Sequence, residues 1–272
     1  MGDLGDVLEL LHGAEPRWKT LRAVGRQWRH NPRQHEVLER RHGATLAGAP
    51  GVSFRWTGYV PDDPSLPPTP DETQDDWRLW MEGQSRVRLE RSSSSGPVTL
   101  VIDRPWWWSW SPYLGARTNG GATNHTLGAG PPVAMVDTSA LLTAMQLQVL
   151  ESDVLLGRRV FRVRGVARPA PEHGPNGFHE LGVDADDYVM SVDAERGILL
   201  RCEARLRELP FLVNEMIEID FDVDLPDGIF TIDLPEGEGF EDVSRRSRRG
   251  WRRSSKLFPR VGMHKGTIVR PG

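Results

Sequence analysis

Lysine is almost missing from this chain: Lys19, Lys256 and Lys265 are the only three, and arginine carries the positive charge. Cysteine is rarer still. Cys202 stands alone, so no intrachain disulfide can form, and its place in an alternating apolar run marks a small core residue rather than a nucleophile. No apolar run approaches the ~20 residues that a membrane-spanning helix requires. The opening MGDLGDVLELLHGAEPRW has neither a basic n-region nor an apolar h-region, and no lipobox cysteine follows. Met1-Gly2-Asp3 without a Ser or Thr at position 6 does not support myristoylation. These absences set the expectation of a cytoplasmic protein. Also missing are a phosphate loop, a G-x-G-x-x-G turn, G-x-S-x-G, H-E-x-x-H and paired C-x-x-C, which lowers the weight of an enzyme. The histidines are scattered. His35 and His42 could share a helix face, but nothing completes a metal site. Asp184, Asp186 and Asp187 lack the glycine and terminal glutamate of a calcium loop. No metal and no cofactor is expected.

What is present favours sheet. Among 272 residues there are 21 prolines and 28 glycines, a supply of turns that suits one large, mainly β domain. Charge is split along the chain. Residues 241–272 hold ten basic side chains against Glu241 and Asp242, about +8, leaving about −12 for the rest of a chain of net charge −4. The expected organisation is one domain over residues 1–237, with an acidic, proline-rich disordered loop at 61–76 (PDDPSLPPTPDETQDD), then a basic, disordered tail over 238–272.

The strongest pattern lies between Asp184 and Gly237. Tyr188, Met190 and Val192 alternate with polar neighbours, and Asp193–Gly197 reads as a turn with Gly197 at a positive φ. Ile198, Leu200, Cys202, Ala204 and Leu206 then take one face and Arg201, Glu203, Arg205 and Arg207 the other. Phe211 to Phe221 alternates again, and a last short strand is expected over Ile229–Leu234. Upstream, Leu4, Val7, Leu8 and Leu11 make an amphipathic helix over Asp3–His12 that stops at Gly13. Arg17–His30 reads as a long strand and Asn31–Arg41 as a short helix with Pro32 at its first position. Strands follow at Trp77–Gly83, Ser85–Arg91, Val98–Ile102 and Trp106–Trp110, and Tyr113–Pro132 is a loop or weak strand. Thr138–Gln148 reads as a helix with Leu141, Leu142 and Met145 as its stripe. Strands return over Val149–Ala167, turning at Gly157.

The segments Asp193–Gly197, Arg201–Glu203, Glu215–Phe221 and Pro226–Pro235 (through F-T-I-D-L-P-E-G) resemble the closing half of the LolA/RseB-type lipoprotein-carrier fold. The opening helix followed by TLRAVGRQW is similar to that family's opening. The resemblance implies a curved, incomplete antiparallel β-barrel (mainly β, α+β) with a few short helices on its concave face. It also implies an apolar hollow for acyl chains. The carriers of that family are exported, so the missing leader is a departure that weakens the transport role.

Two places invite function. In Trp106-Trp107-Trp108-Ser109-Trp110, alternation turns Trp106, Trp108 and Trp110 one way and Trp107 the other. These indoles either fill the core, wall a ligand hollow or stack on sugars or bases. The expected lining of the hollow is Trp106, Trp108, Trp110, Leu100, Ile102, Phe161, Val163, Met190 and Leu200. The second place is the tail, where Arg245, Arg246, Arg248, Arg249, Trp251, Arg252 and Arg253 suit an anionic partner surface or simply a solvated tail. The resulting expectation is a non-enzymatic binder of a lipid or acyl-chain ligand. The alternative is a regulatory protein-interaction module whose hollow is filled by its own tryptophans and whose tail or proline-rich loop contacts the partner, a reading that the arginine-rich outer face (Arg201, Arg205, Arg207) suits. No specific nucleic acid is expected.

Overall fold

A computed structural model describes residues 4–12, 17–42, 70–93, 96–121, 130–139, 141–168, 181–182 and 184–243. They form one twelve-stranded, open and curved sheet with short helices. The strands are β1 (Thr20–His30), β2 (Glu72–Glu82), β3 (Arg86–Ser93), β4 (Gly96–Asp103), β5 (Trp106–Ser111), β6 (Gly115–Thr118), β7 (Met145–Leu155), β8 (Arg158–Ala167), β9 (Asp187–Asp193), β10 (Leu199–Leu206), β11 (Leu209–Phe221) and β12 (Glu241–Asp242). The helices are α1 (Leu4–His12), α2 (Asn31–His42), α3 (Pro131–Val136) and α4 (Leu141–Ala144).

The spatial order is β12-β6-β5-β4-β3-β2-β1-β11-β10-β9-β8-β7. Two antiparallel meanders, β2 to β6 and β7 to β11, therefore meet where β1 pairs with β11. Antiparallel neighbours need only tight turns between them, which is what the glycines supply. At the β9–β10 turn, Gly197 has φ 72°, and a Cβ there would strike the Leu10 carbonyl of α1. Gly25 on β1 answers a different need. Trp77 lies across it, and a Cβ would overlap both that ring and the Glu215 carbonyl.

One face of the sheet is closed by the helices. Leu21, Ala23, Leu79, Met81, Leu89, Leu100, Phe161, Val163, Met190 and Cys202 pack there with Val7 and Leu11 of α1, Met135 and Val136 of α3 and Leu141 of α4. Only half of the expected α1 stripe is inside: Val7 and Leu11 are buried, whereas Leu4 and Leu8 remain exposed. The other face carries a strap. After Phe221 the chain leaves β11, where Lys19 N–H donates to Asp222 Oδ1 at 2.7 Å and the Thr20 hydroxyl donates to the Val223 carbonyl at 2.6 Å. It then crosses β3, where Arg88 Nη1 donates to the carbonyls of Ile229 (3.0 Å) and Thr231 (2.5 Å) and the Arg86 guanidinium lies 4.4 Å over the Phe230 ring. It ends as β12, parallel to β6.

Three expectations are corrected. Residues 72–76, placed in the acidic loop, begin β2, because Asp75 is drawn into the sheet by arginines on β1 and β3. Residues 61–69 of that loop lie outside the described residues. The helix expected over Thr138–Gln148 is a single turn, α4, after which Met145 starts β7; period-two pairing with β8 overrides the helical stripe. Ile229–Leu234 forms turns that cap on Pro226 and Gly228, not a strand. Within Tyr113–Pro132 the weak strand is real, as β6, and the segment ends at the start of α3.

Candidate functional site

Residues directly opposite one another in neighbouring strands share a face, so the register decides which expected lining residues can meet. Trp107 lies opposite Ile102, Ile102 opposite Val87 and Leu100 opposite Leu89. That row faces the helices, and Trp107 is 8% exposed there. Trp106, Trp108 and Trp110 lie opposite Asp103, Val101 and Thr99, on the outer face, where the strap reaches Trp110 through Glu238. The nine expected residues therefore divide. Leu100, Ile102, Phe161, Val163 and Met190 lie on the helix side, with Leu200 buried at the β9–β10 bulge, and the three tryptophans lie on the other. They do not form one wall. Alternation separated the two sets of indoles correctly but could not say which set faces the helices, because the strap makes the outer face apolar too. Val101, on the outer face, is fully buried.

The helix-side residues are packed rather than arranged round an opening. Phe161 is 3% exposed, Met190 1%, and Val163 and Leu200 0%. A cavity on that side among the described residues, between Leu10, Trp18, Met81, Val136, Thr138 and Ile198, holds about 30 Å³. That is room for a water, not for an acyl chain.

Across the same face runs a polar strip that the periodicity concealed. Asn214 on β11 accepts from Gln27 Nε2 at 2.6 Å, Gln27 accepts from Arg29, and Arg29 Nη2 donates to Asp75 Oδ2 at 2.6 Å. Arg91 Nη2 on β3 joins the same carboxylate at 3.3 Å. Burial pushes the Arg91 pKa down, Asp75 opposes that shift, and Arg29 adds to it. Two guanidiniums thus share one carboxylate across three strands. Trp77 Nε1 and Asn214 Nδ2 are buried without partners among the described residues. The signal available in the sequence was the pair Gln27 and Asn214, each at an inward position of its strand.

Charge on the outer face is mostly satisfied within the sheet. Arg201 pairs with Glu203 at 2.8 Å and Glu215 at 2.6 Å, Arg207 pairs with Glu36 at 2.5 Å, and Arg205 donates to the Glu208 carbonyl at 2.6 Å. These arginines are paired within the fold while staying partly open to solvent, Arg207 most of all. At the β9–β10 turn the fully buried Asp193 accepts from Arg158 and from the N–H groups of Glu195 and Arg196 at 2.8 Å each. The guanidiniums of Arg158 and Arg196 each lie 5.0 Å from the centre of the Phe221 ring. Burial pushes the Cys202 thiol up to about 12, so it stays protonated and is unsuited to nucleophilic attack. Among the described residues, no set of three His, Cys, Asp or Glu side chains is placed to hold a metal, and no helix is long and apolar enough to cross a membrane. The tail candidates Arg245, Arg246, Arg248, Arg249, Trp251, Arg252 and Arg253 lie outside the described residues.

Besides Leu4, Leu8, Val166, Leu209 and Ile217, large apolar side chains reach the surface towards the two edges of the sheet. On β7 and just beyond it, Leu150 is 43% exposed, Val154 66% and Leu156 38%. At the opposite edge Trp106 is 44% exposed, Tyr113 69%, Leu114 47% and Phe240 36%.

No family model matches the chain, and no curated protein matches it. Solved structures do. MucB is similar over 84% of this chain and 62% of its own, at 12% identity and a TM-score of 0.44. An uncharacterized conserved protein from Thermus thermophilus is similar over 87% and 97%, at 9% identity and 0.46. A LolA superfamily protein from Nitrosomonas europaea is similar over 85% and 99%, at 10% identity and 0.33. The chain spans about six-tenths of the length of MucB. The likeness is one of fold.

Proposed function

We propose that this protein is a non-enzymatic interaction module that takes up an extended segment of a partner protein along β7, with its helix-covered face filled by its own side chains. The observation that supports the reading is the free edge of β7. Eleven residues, Met145–Leu155, pair with β8 alone among the described strands, and Leu150 and Val154 are exposed along them. An unpaired edge offers a row of backbone donors and acceptors to an added strand, and the apolar side chains beside it supply contact area. Asp153 is exposed on the same strand with no ion pair among the described residues, which favours a basic residue in the incoming segment. The bulge between Val149 and Glu151 divides the edge into two runs, so the segment docks on one of them. The packed state of Phe161, Val163, Met190 and Leu200 weighs against an acyl chain in the hollow.

The test is capture of partners from the protein's own cells with the full chain and with the double variant Leu150→Lys, Val154→Lys. Loss of a captured protein, with an unchanged circular dichroism spectrum, is expected. A partner set unchanged by the variant overturns the reading. So does a wild-type dimer that the variant dissolves, which would make the occupant a second copy. A stoichiometric lipid seen by native mass spectrometry would instead restore the ligand-binding reading.

A further inference from the structure

The far end of β7 is shaped by its turn. Leu156 and Gly157 both take a positive φ, 54° and 72°, and join Leu155 to Arg158 as a two-residue hairpin loop. The residues that flank such a loop exchange their backbone hydrogen bonds, and bonded and non-bonded pairs then alternate along an antiparallel ladder. Val154, opposite Arg159, is therefore in a non-bonded pair, and its N–H and C=O point away from β8 to the free edge. Ser152, opposite Phe161, points the same way. The run that follows the bulge thus turns two backbone donors outward, at Ser152 and Val154.

One of those donors is already taken. The Asp153 carboxylate accepts from Val154 N–H at 2.8 Å. The strand caps its own edge with a side chain that is exposed and has no ion pair among the described residues. The neighbouring charges are engaged elsewhere. Glu151 pairs with Arg162 at 2.6 Å, Arg158 bonds to Asp193 and Glu195, and the Arg159 guanidinium lies 5.5 Å from the centre of the Phe161 ring. Asp153 is left as the uncompensated charge of this run. It shares a face with Glu151, while Ser152 and Val154 take the other, with Phe161 and Arg159.

We infer that Asp153 selects the segment that β7 accepts, and that this segment is an extended one in which lysine or arginine alternates with apolar residues. The inference rests on the β7 reading and adds the register and the sequence class. A strand that pairs with Val154 must displace the carboxylate from its N–H. A neutral or acidic strand gives that carboxylate nothing in return. A strand with a basic residue opposite Asp153 gives it an ion pair, and that pair of positions is a non-bonded one, where side chains come closest. The next residue of the segment falls opposite the exposed Val154, which favours an apolar side chain there. A second copy of the chain is a poor occupant. β7 reads MQLQVLESDVL, without lysine or arginine, and two such edges side by side would set acidic runs against each other.

The experiment measures, by fluorescence anisotropy, binding of the full chain to three labelled peptides in which valine alternates with lysine, glutamine or glutamate. The lysine peptide should bind roughly 5- to 10-fold more tightly than the glutamine peptide, the scale of one exposed ion pair plus one hydrogen bond, and added salt should narrow the gap. The glutamate peptide should bind least. Asp153→Ala removes cap and charge together, so the glutamine peptide should gain and the lysine preference should fall to about 2-fold or less. Asp153→Glu should keep the preference. An unchanged lysine preference in Asp153→Ala overturns the inference, and so does equal binding of the lysine and glutamine peptides by the native chain. If all three peptides bind Val154→Lys as well as they bind the native chain, the site is not β7 and the underlying reading falls too. A native chain that binds none of them overturns the sequence class alone, and capture from cells with the Leu150→Lys, Val154→Lys variant still decides the edge.

Discussion

Asp75 is 4% exposed and stands between two guanidiniums, so its removal exposes a buried imbalance of charge. Breaking one side of a buried pair costs more than the pair contributes, because the charge left behind has neither partner nor water. Asp75→Ala should lower unfolding free energy by about 3 kcal/mol, and adding Arg91→Leu should recover part of that loss. Urea titrations of the single and double variants read both effects. Cys202 makes a prediction about alkaline pH. Its folded pKa, about 12, stands above the ordinary 9.0 because burial disfavours the thiolate. A group of raised folded pKa gives full stability below its ordinary value and loses it as pH rises through the folded one. Stability should therefore fall between about pH 9 and 12 more steeply in the native chain than in Cys202→Ala, as thermal unfolding across that range would show. Tyr188, also pushed up by burial, adds a slope of the same sign to both proteins.

The strap depends on few contacts, and Arg88 makes two of them. Arg88→Ala should release residues 229–231 and uncover Phe230 and Val101 while leaving β2–β4 paired. Hydrogen exchange is expected to speed up in the strap and not in the strands beneath it. Elements of this kind also mark the limit of what the sequence discloses. The β9–β11 meander, β1, β3 to β5 and the turn at Gly197 were legible, because each carries a period of two or a turn residue with a single use. The stretch 138–148 was not, since Leu141, Leu142 and Met145 fit a helix until β8 supplies the partner that turns Met145 into a strand residue. Asp75 and Asp76 looked like solvated acid because the arginines that draw the first of them in are 46 and 16 residues away. The indole row was read with the right spacing and on the wrong side. A strap of turns and prolines has no periodicity, so nothing local announced a second apolar cover. The candidate edges were less visible still, because a strand's position in the sheet is a property of pairing and not of its own residues.

At the scale of the whole molecule, the two meanders touch through one ladder, from Leu21 opposite Phe221 to Arg29 opposite Leu212. The residues joined there are about 190 positions apart. A chain made from its N-terminus therefore finishes β1 long before the strand that flanks it exists. At 5–20 residues per second, β1 waits roughly 10–40 s with one side bare, although β2 to β6 can pair meanwhile. During that interval the nascent chain carries up to four open sheet margins where the finished protein has two: the bare side of β1, the outer side of β6 and, once made, β7 and the leading strand of the second meander, which β11 also covers. The arrival of β11 removes the first, and the strap that follows it in sequence reaches β6 last. Birth order thus leaves β7, the margin proposed to receive a partner, as the one the chain never covers for itself among the described strands.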